Sequence, residues 1–202
     1  MRENFKITGL FYKENGYKFR KFLNIIKINS NKKRPDLMVV MMNPGSSKPL
    51  DGNENNKIET KAIPDKTQDQ IMRVMENCKF DFARILNLSD LREPKSSVFY
   101  EKIKELEKYN ILHSIFDKKR KDDFETLFVT NIPVIFAWGV NEKLSELATL
   151  TIKRIGEANP IGLKKNEFAY YHPLPQNYTK QKEWVEKITE MIKKKPITKA
   201  HK

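Results

Sequence analysis

The chain has 202 residues, 39% hydrophobic and 32% charged, apolar enough to bury a core and too apolar for a disordered polymer. No apolar run approaches the ~20 residues of a membrane span, Met1 to Tyr12 lacks the apolar stretch of a secretory signal, and the single cysteine, Cys78, excludes an internal disulfide framework and a multi-cysteine metal site. The expectation is a cytoplasmic monomer forming one domain over residues 1–202, carrying +13 from 39 Lys and Arg against 26 Asp and Glu.

In chain order, Phe5 to Ile28 reads as an antiparallel hairpin turning at Glu14-Asn15-Gly16, within an N-terminal segment of residues 1–30. Leu37 to Met42 is a short apolar run of strand length. The stretch from Ser46 to Lys66, rich in Gly, Pro, Asn and Lys, reads as a long mobile loop of the kind that serves as a lid or binding loop. Ile71, Val74, Met75 and Cys78 share one helical face. Phe82 to Leu88 is a second strand, and a helix covers Ser97 to Lys108. Val134 to Trp138 is a third strand, Leu144 to Ile155 a helix, and Phe168 to Tyr171 a fourth strand. Trp184, Ile188, Met191 and Ile192 share the face of a last helix, and residues 196–202 read as a frayed tail. Poorly alternating strands separated by helices predict an α/β fold: a three-layer αβα sandwich around a mainly parallel four-stranded sheet, with the hairpin added.

The strands end in residues that an inert fold would not need. They run into Asn43-Pro44-Gly45-Ser46-Ser47, Asn87 with Ser89-Asp90, Trp138-Gly139 with Asn141, and His172-Pro173-Leu174-Pro175. In open parallel sheets ligands bind outside the carboxyl ends of the strands, so the four ends describe one crevice. Each residue also has a plainer use. Asn43 before Pro44 starts a turn, Asn87 satisfies its amide in the core, His172 caps a strand end, and Trp138-Gly139 is packing followed by a tight turn. His113 and His201 are read as structural.

Taken together, these segments resemble the uracil-DNA glycosylase-like superfamily. Met42-Asn43-Pro44-Gly45 resembles the first motif of the single-strand-selective and mismatch-specific enzymes, Gly-(Met/Ile)-Asn-Pro-Gly. His172-Pro173-Leu174-Pro175 resembles the superfamily's closing His-Pro-Ser-Pro, and Ile85-Leu86-Asn87 stands where it keeps a base-reading Asn. Ile135 to Gly139 is similar to its third strand. The chain also resembles a bacterial and phage family carrying Met-Asn-Pro-(Gly/Ser), Asn-Leu and His-Pro-Leu-Pro. Met42 replaces the opening Gly, and Gln176 stands where a duplex-wedging Leu is common.

The resemblance implies a metal-free, cofactor-free DNA glycosylase that flips a pyrimidine from the helix and hydrolyses its N-glycosidic bond. Asn43 would orient the water and His172 would donate an N–H to the departing base. Met42, Pro44, Gly45, Ser46, Asn87, Trp138 and Gly139 would line the base pocket. Ser47, Lys48, Pro173, Pro175, Gln176, Asn177 and Tyr178 would meet DNA. Asn87 fits uracil in one amide orientation and cytosine in the other. Gly45 leaves room for a 5-substituent, such as phage pyrimidines carry, or merely permits a turn. The +13 charge and the basic runs at 32–34, 118–121 and 193–195 fit a DNA partner, or are solvated faces. A non-catalytic nucleic-acid-binding domain and a nucleoside- or nucleotide-processing hydrolase are the competing readings.

Overall fold

The computed structural model describes residues 1–55, 57–156 and 160–195. Strands β1 (Phe5–Glu14) and β2 (Tyr17–Lys27) form the expected hairpin. Asn15 and Gly16 at its tip both have positive φ, 49° and 80°, the combination a tight two-residue turn requires. Strand β3 (Leu37–Met41) is wholly buried. Strand β4 (Thr60–Lys61) precedes helix α1 (Lys66–Cys78), and β5 (Phe82–Asn87) precedes α2 (Ser96–Lys108). Then come α3 (Lys121–Leu127), β6 (Val134–Phe136), α4 (Ser145–Ile155) and α5 (Tyr178–Lys194).

One mixed sheet joins all six strands in the order β4-β1-β2-β5-β3-β6. Only β5, β3 and β6 run parallel. The hairpin is therefore not an appendage to a four-stranded sheet. It joins that sheet through β2, with Leu23 opposite Ile85 and Ile25 opposite Ala83. These four side chains are fully buried in the core they share with α1 and α5.

Alternation along the strands sends successive residues to two cores. Leu37, Val39 and Met41 of β3, Ala83 and Ile85 of β5, and Ile135 and Ala137 face a first core with Ile71 and Met75 of α1 and Trp184 and Ile188 of α5. Met38, Val40, Leu86, Val134 and Phe136 face a second core with Phe99 and Leu106 of α2, Leu127 of α3 and Leu147 of α4. Helices thus cover both faces.

Two expectations change. Phe168 to Tyr171 does not become a fourth parallel strand. Tyr170 makes single bridges to Gly139 and Lys164, while Ile161 takes the parallel position beside Ile135. The aromatic content that suggested a strand serves packing instead, Tyr170 lying edge-on to Phe136 and Trp138. The Ser46–Lys66 stretch is not a free loop. It folds along the sheet edge as β4 beside β1, with Glu54 paired to Arg92 and Lys13. The tail at 196–202 lies outside the described residues. No helix among them is long and apolar enough to cross a membrane.

Candidate functional site at the strand ends

Adjacent parallel strands carry the chain to one edge of the sheet. Met41 is in register with Asn87, and the chain continues from β3 and β5 with Leu88 N–H donating to Met41 O and Ser89 N–H to Met42 O. On the other side of β3, Gly139 follows β6 and bridges Tyr170, two residues before His172. Asn43 thus emerges between Asn87 and the His172 segment.

The Asn43 amide is oriented by backbone. Its Nδ2 donates to Leu91 O at 3.3 Å and Glu93 O at 2.7 Å. Both N–H bonds are spent on carbonyls, and Oδ1 is left without a partner among the described residues. The turn that follows is closed by Ser47 N–H donating to Pro44 O at 3.2 Å. Gly45 sits in it at φ +60°, where an L side chain is strained, and a Cβ there would meet nothing within 4 Å. Arg92 Nε holds the turn down by donating to Ser47 O at 2.6 Å.

His172 is half-buried on a clamped segment. Trp184 Nε1 donates to Tyr171 O at 3.0 Å and Gln181 Nε2 to Pro175 O at 2.7 Å, fastening the His-Pro-Leu-Pro run to α5. Leu174 N–H donates to His172 Nδ1 at 3.1 Å. Nδ1 must then be unprotonated, so the neutral ring carries its proton on Nε2. Burial pushes the imidazole below its ordinary pKa, against the pull of the Asp65 carboxylate. At neutral pH the ring is uncharged and presents one N–H.

Asn87 is 1% exposed, and its Oδ1 accepts from Arg20 Nη2 at 2.9 Å. Arg20 is also 1% exposed. Burial pushes its guanidinium down to about 10, with Asp65 acting in the opposite direction. Arg20 Nε and Nη1, Asn87 Nδ2 and Ser47 Oγ are buried without a partner. A buried donor left so costs about 1–3 kcal/mol, and such groups call for water or a ligand. Asp65 caps α1, its Oδ1 accepting from Thr67 N–H at 2.8 Å and Gln68 N–H at 3.1 Å while Gln68 Oε1 accepts from Asp65 N–H. Asp65 therefore joins His172 to the Arg20–Asn87 pair electrostatically.

Several expected site residues stand elsewhere. Trp138 is 1% exposed in the second core, on the sheet face opposite Asn87, with its indole N–H donating to Phe168 O at 2.8 Å. Met42 also packs against the second core, its Sδ accepting from Tyr100 Oη at 3.8 Å. Strand alternation explains both, since each is one residue out of phase with the first-core face. Ser47, expected against DNA, is 1% exposed. Pro44 and Pro173 are buried, Pro175 and Gly139 partly so. Ser46, Lys48, Gln176, Asn177 and Tyr178 are exposed, Asn177 as the N-cap of α5. Arg20 and Asp65 were not foreseen. Arg20 among the apolar residues of Phe19 to Ile26, a stretch that also holds Lys21 and Asn24, and the Asp-x-x-Gln cap before a helix are their signals.

Ser89 and Asp90 belong to a separate buried network. Arg120 Nη1 donates to Asp90 Oδ2 at 2.6 Å, Tyr12 Oη donates to the same oxygen at 3.2 Å, and Ser89 Oγ meets His113 Nδ1 at 3.0 Å. Burial depresses the His113 pKa to about 4, so this ring is neutral at neutral pH. Among the described residues no group of three or more His, Cys, Asp or Glu is placed to hold a metal.

The sequence pattern of the family described as "Protein of unknown function (DUF1643)" matches residues 20–174, and the chain belongs to that family. No curated protein and no solved structure matches the chain. The match begins at Arg20 and ends at Leu174, whose N–H orients His172.

Proposed function

We propose that the protein is a DNA glycosylase of uracil-DNA glycosylase-like fold, acting on a flipped pyrimidine and leaving an abasic site. The observation that carries this reading is the complementary orientation of Asn43 and His172. Backbone contacts consume the donors of one and the acceptor of the other, leaving an acceptor on Asn43 and a donor on His172. Hydrolysis of an N-glycosidic bond asks for this pair. An acceptor holds the attacking water, and a neutral donor meets the negative charge that the base takes as it leaves.

Asn87 would read the base edge from the buried side of the crevice. The exposed Lys48, Lys66, Lys180 and Lys182, with Tyr178 and Gln176, would meet the sugar-phosphate chain. Gly45 leaves open space beyond the Asn-Pro turn, which suits a base with a 5-substituent. Removal of such modified pyrimidines from phage DNA, as antiviral defence, is the biological role this suggests.

The test is direct. Oligonucleotides carrying uracil or 5-substituted pyrimidines, and phage DNAs, are incubated with the protein and probed for alkali-labile abasic sites. Abasic product that disappears with Asn43→Ala supports the reading. Binding to DNA without abasic product from any of these substrates would overturn it in favour of a non-catalytic binding domain.

A further inference from the structure

The Arg20–Asn87 pair has an unusual polarity. A guanidinium has no acceptor, so Asn87 must turn Oδ1 toward it, and the amide orientation follows from chemistry alone. What the pair has left is Asn87 Nδ2 together with Arg20 Nε and Nη1, all N–H groups, all buried and all unpartnered. Arg20 remains a cation at neutral pH, yet no carboxylate among the described residues pairs with it; Asp65 and Asp90 act on it only at a distance, opposed by Arg92. A buried cation in this state favours a ligand that brings oxygen acceptors and negative charge.

We propose that Arg20 binds the base itself, through an oxygen that gains negative charge as the base departs, and so forms with Asn87 an anion-selective reading pair. The proposal rests on the glycosylase reading for the reaction but not for the binding preference. In that reaction a water oxygen bonds to the anomeric carbon as the bond to the base nitrogen breaks. The bonding electron pair leaves with the base, spreading over its ring nitrogen and carbonyl oxygens, and the water gives up a proton to solvent. Arg20 holds the resulting anion. An exocyclic amine in the same place would set donor against donor.

Isothermal titration with free uracil, cytosine and 5-nitrouracil tests this, since 5-nitrouracil is acidic enough to bind as an anion at neutral pH. The expected order of affinity is 5-nitrouracil, then uracil, then cytosine. Arg20→Met keeps side-chain bulk while removing the buried charge, a change that interiors often tolerate. It should weaken the anion by roughly 10- to 100-fold, as for a lost charge-assisted hydrogen bond, and cytosine little. Should Arg20→Met not fold, the wild-type protein carries the test, because affinity for 5-nitrouracil should fall as its anion is protonated. Equal affinity for cytosine and 5-nitrouracil, no binding of any of the three, or unchanged anion affinity in folded Arg20→Met would overturn the proposal. The expected order without abasic product would keep the inference and remove the glycosylase reading; abasic product without anion preference would do the reverse.

Discussion

Leu174 N–H donates to His172 Nδ1 at 3.1 Å, and this bond decides which ring nitrogen carries the proton. The free Nε2–H is then the group available to a leaving base. His172→Ala should slow single-turnover base release by roughly 10²–10³-fold, the scale of one lost oxyanion donor. The loss should be smaller on 5-fluorouracil, whose anion needs less help. The pH profile has a fixed sign. With its pKa held below the ordinary value by burial, His172 is neutral at neutral pH, and on the proposed reading the rate of base release should fall as acid protonates it through that lowered value. Equal slowing on both bases, with a lower melting temperature, would make the residue structural.

Asn43 separates geometry from chemistry in a second way. Its Nδ2 faces two carbonyl oxygens, so Asn43→Asp would point a carboxylate at both. Asn43→Ala should leave DNA affinity nearly unchanged and lower single-turnover release by orders of magnitude. Asn43→Asp should in addition be less stable than Asn43→Ala, by about 1–3 kcal/mol in urea denaturation, since an acceptor there is unsatisfied and repelled. Equal stability of the two variants would contradict the assigned amide orientation.

Much of this edge could be read from residue order. Asn43 and Asn87 follow or end β3 and β5, whose parallel run carries them to one side, whereas His172 follows a segment bridged antiparallel to Gly139. Side-chain direction was the harder part. Met42 and Trp138 belong to the same motifs, yet one step of strand alternation turns each into the second core. Arg20 and Asp65 lie far from those motifs in sequence, one on the hairpin and one at a helix cap, and only the docking of β2 on β5 brings Arg20 to Asn87. Helix α3 gives little signal in the sequence because a basic run precedes it and its apolar face is only Phe124 and Leu127.

The Asp90–Arg120 pair is the clearest stability device outside the crevice. Asp90 is fully buried; burial raises its pKa, and Arg120 and Tyr12 oppose the rise. Asp90→Ala should cost about 1–3 kcal/mol in urea denaturation, because it leaves Arg120 Nη1 buried without its acceptor while Asp123 keeps Nε and Nη2. The double variant Asp90→Leu/Arg120→Met should lose less than either single change, since no buried charge is left unpaired and Asp123 keeps Lys21. Additive losses would show that the two residues do not act as a unit.

The last prediction concerns the surface. A net charge of +13 is a statement about partners only if the charges meet phosphate, and salt separates the two cases. If Lys48, Lys66, Lys180 and Lys182 track the DNA backbone, log affinity should fall linearly with log salt, at a slope near 0.9 per neutralised phosphate on duplex. Replacing any one of them with Ala should reduce that slope by about one and weaken binding alike for all sequences. Lysines in the last turn of α5, at the end of the helix opposite its Asn177 cap, serve as the control: Lys193→Ala and Lys194→Ala should leave the slope unchanged. Two other results would count against the proposed face. Affinity independent of salt would mean that the basic surface does not hold DNA. Equal effects from both sets of lysines would mean that binding is spread over the whole surface rather than gathered around Asn43 and His172.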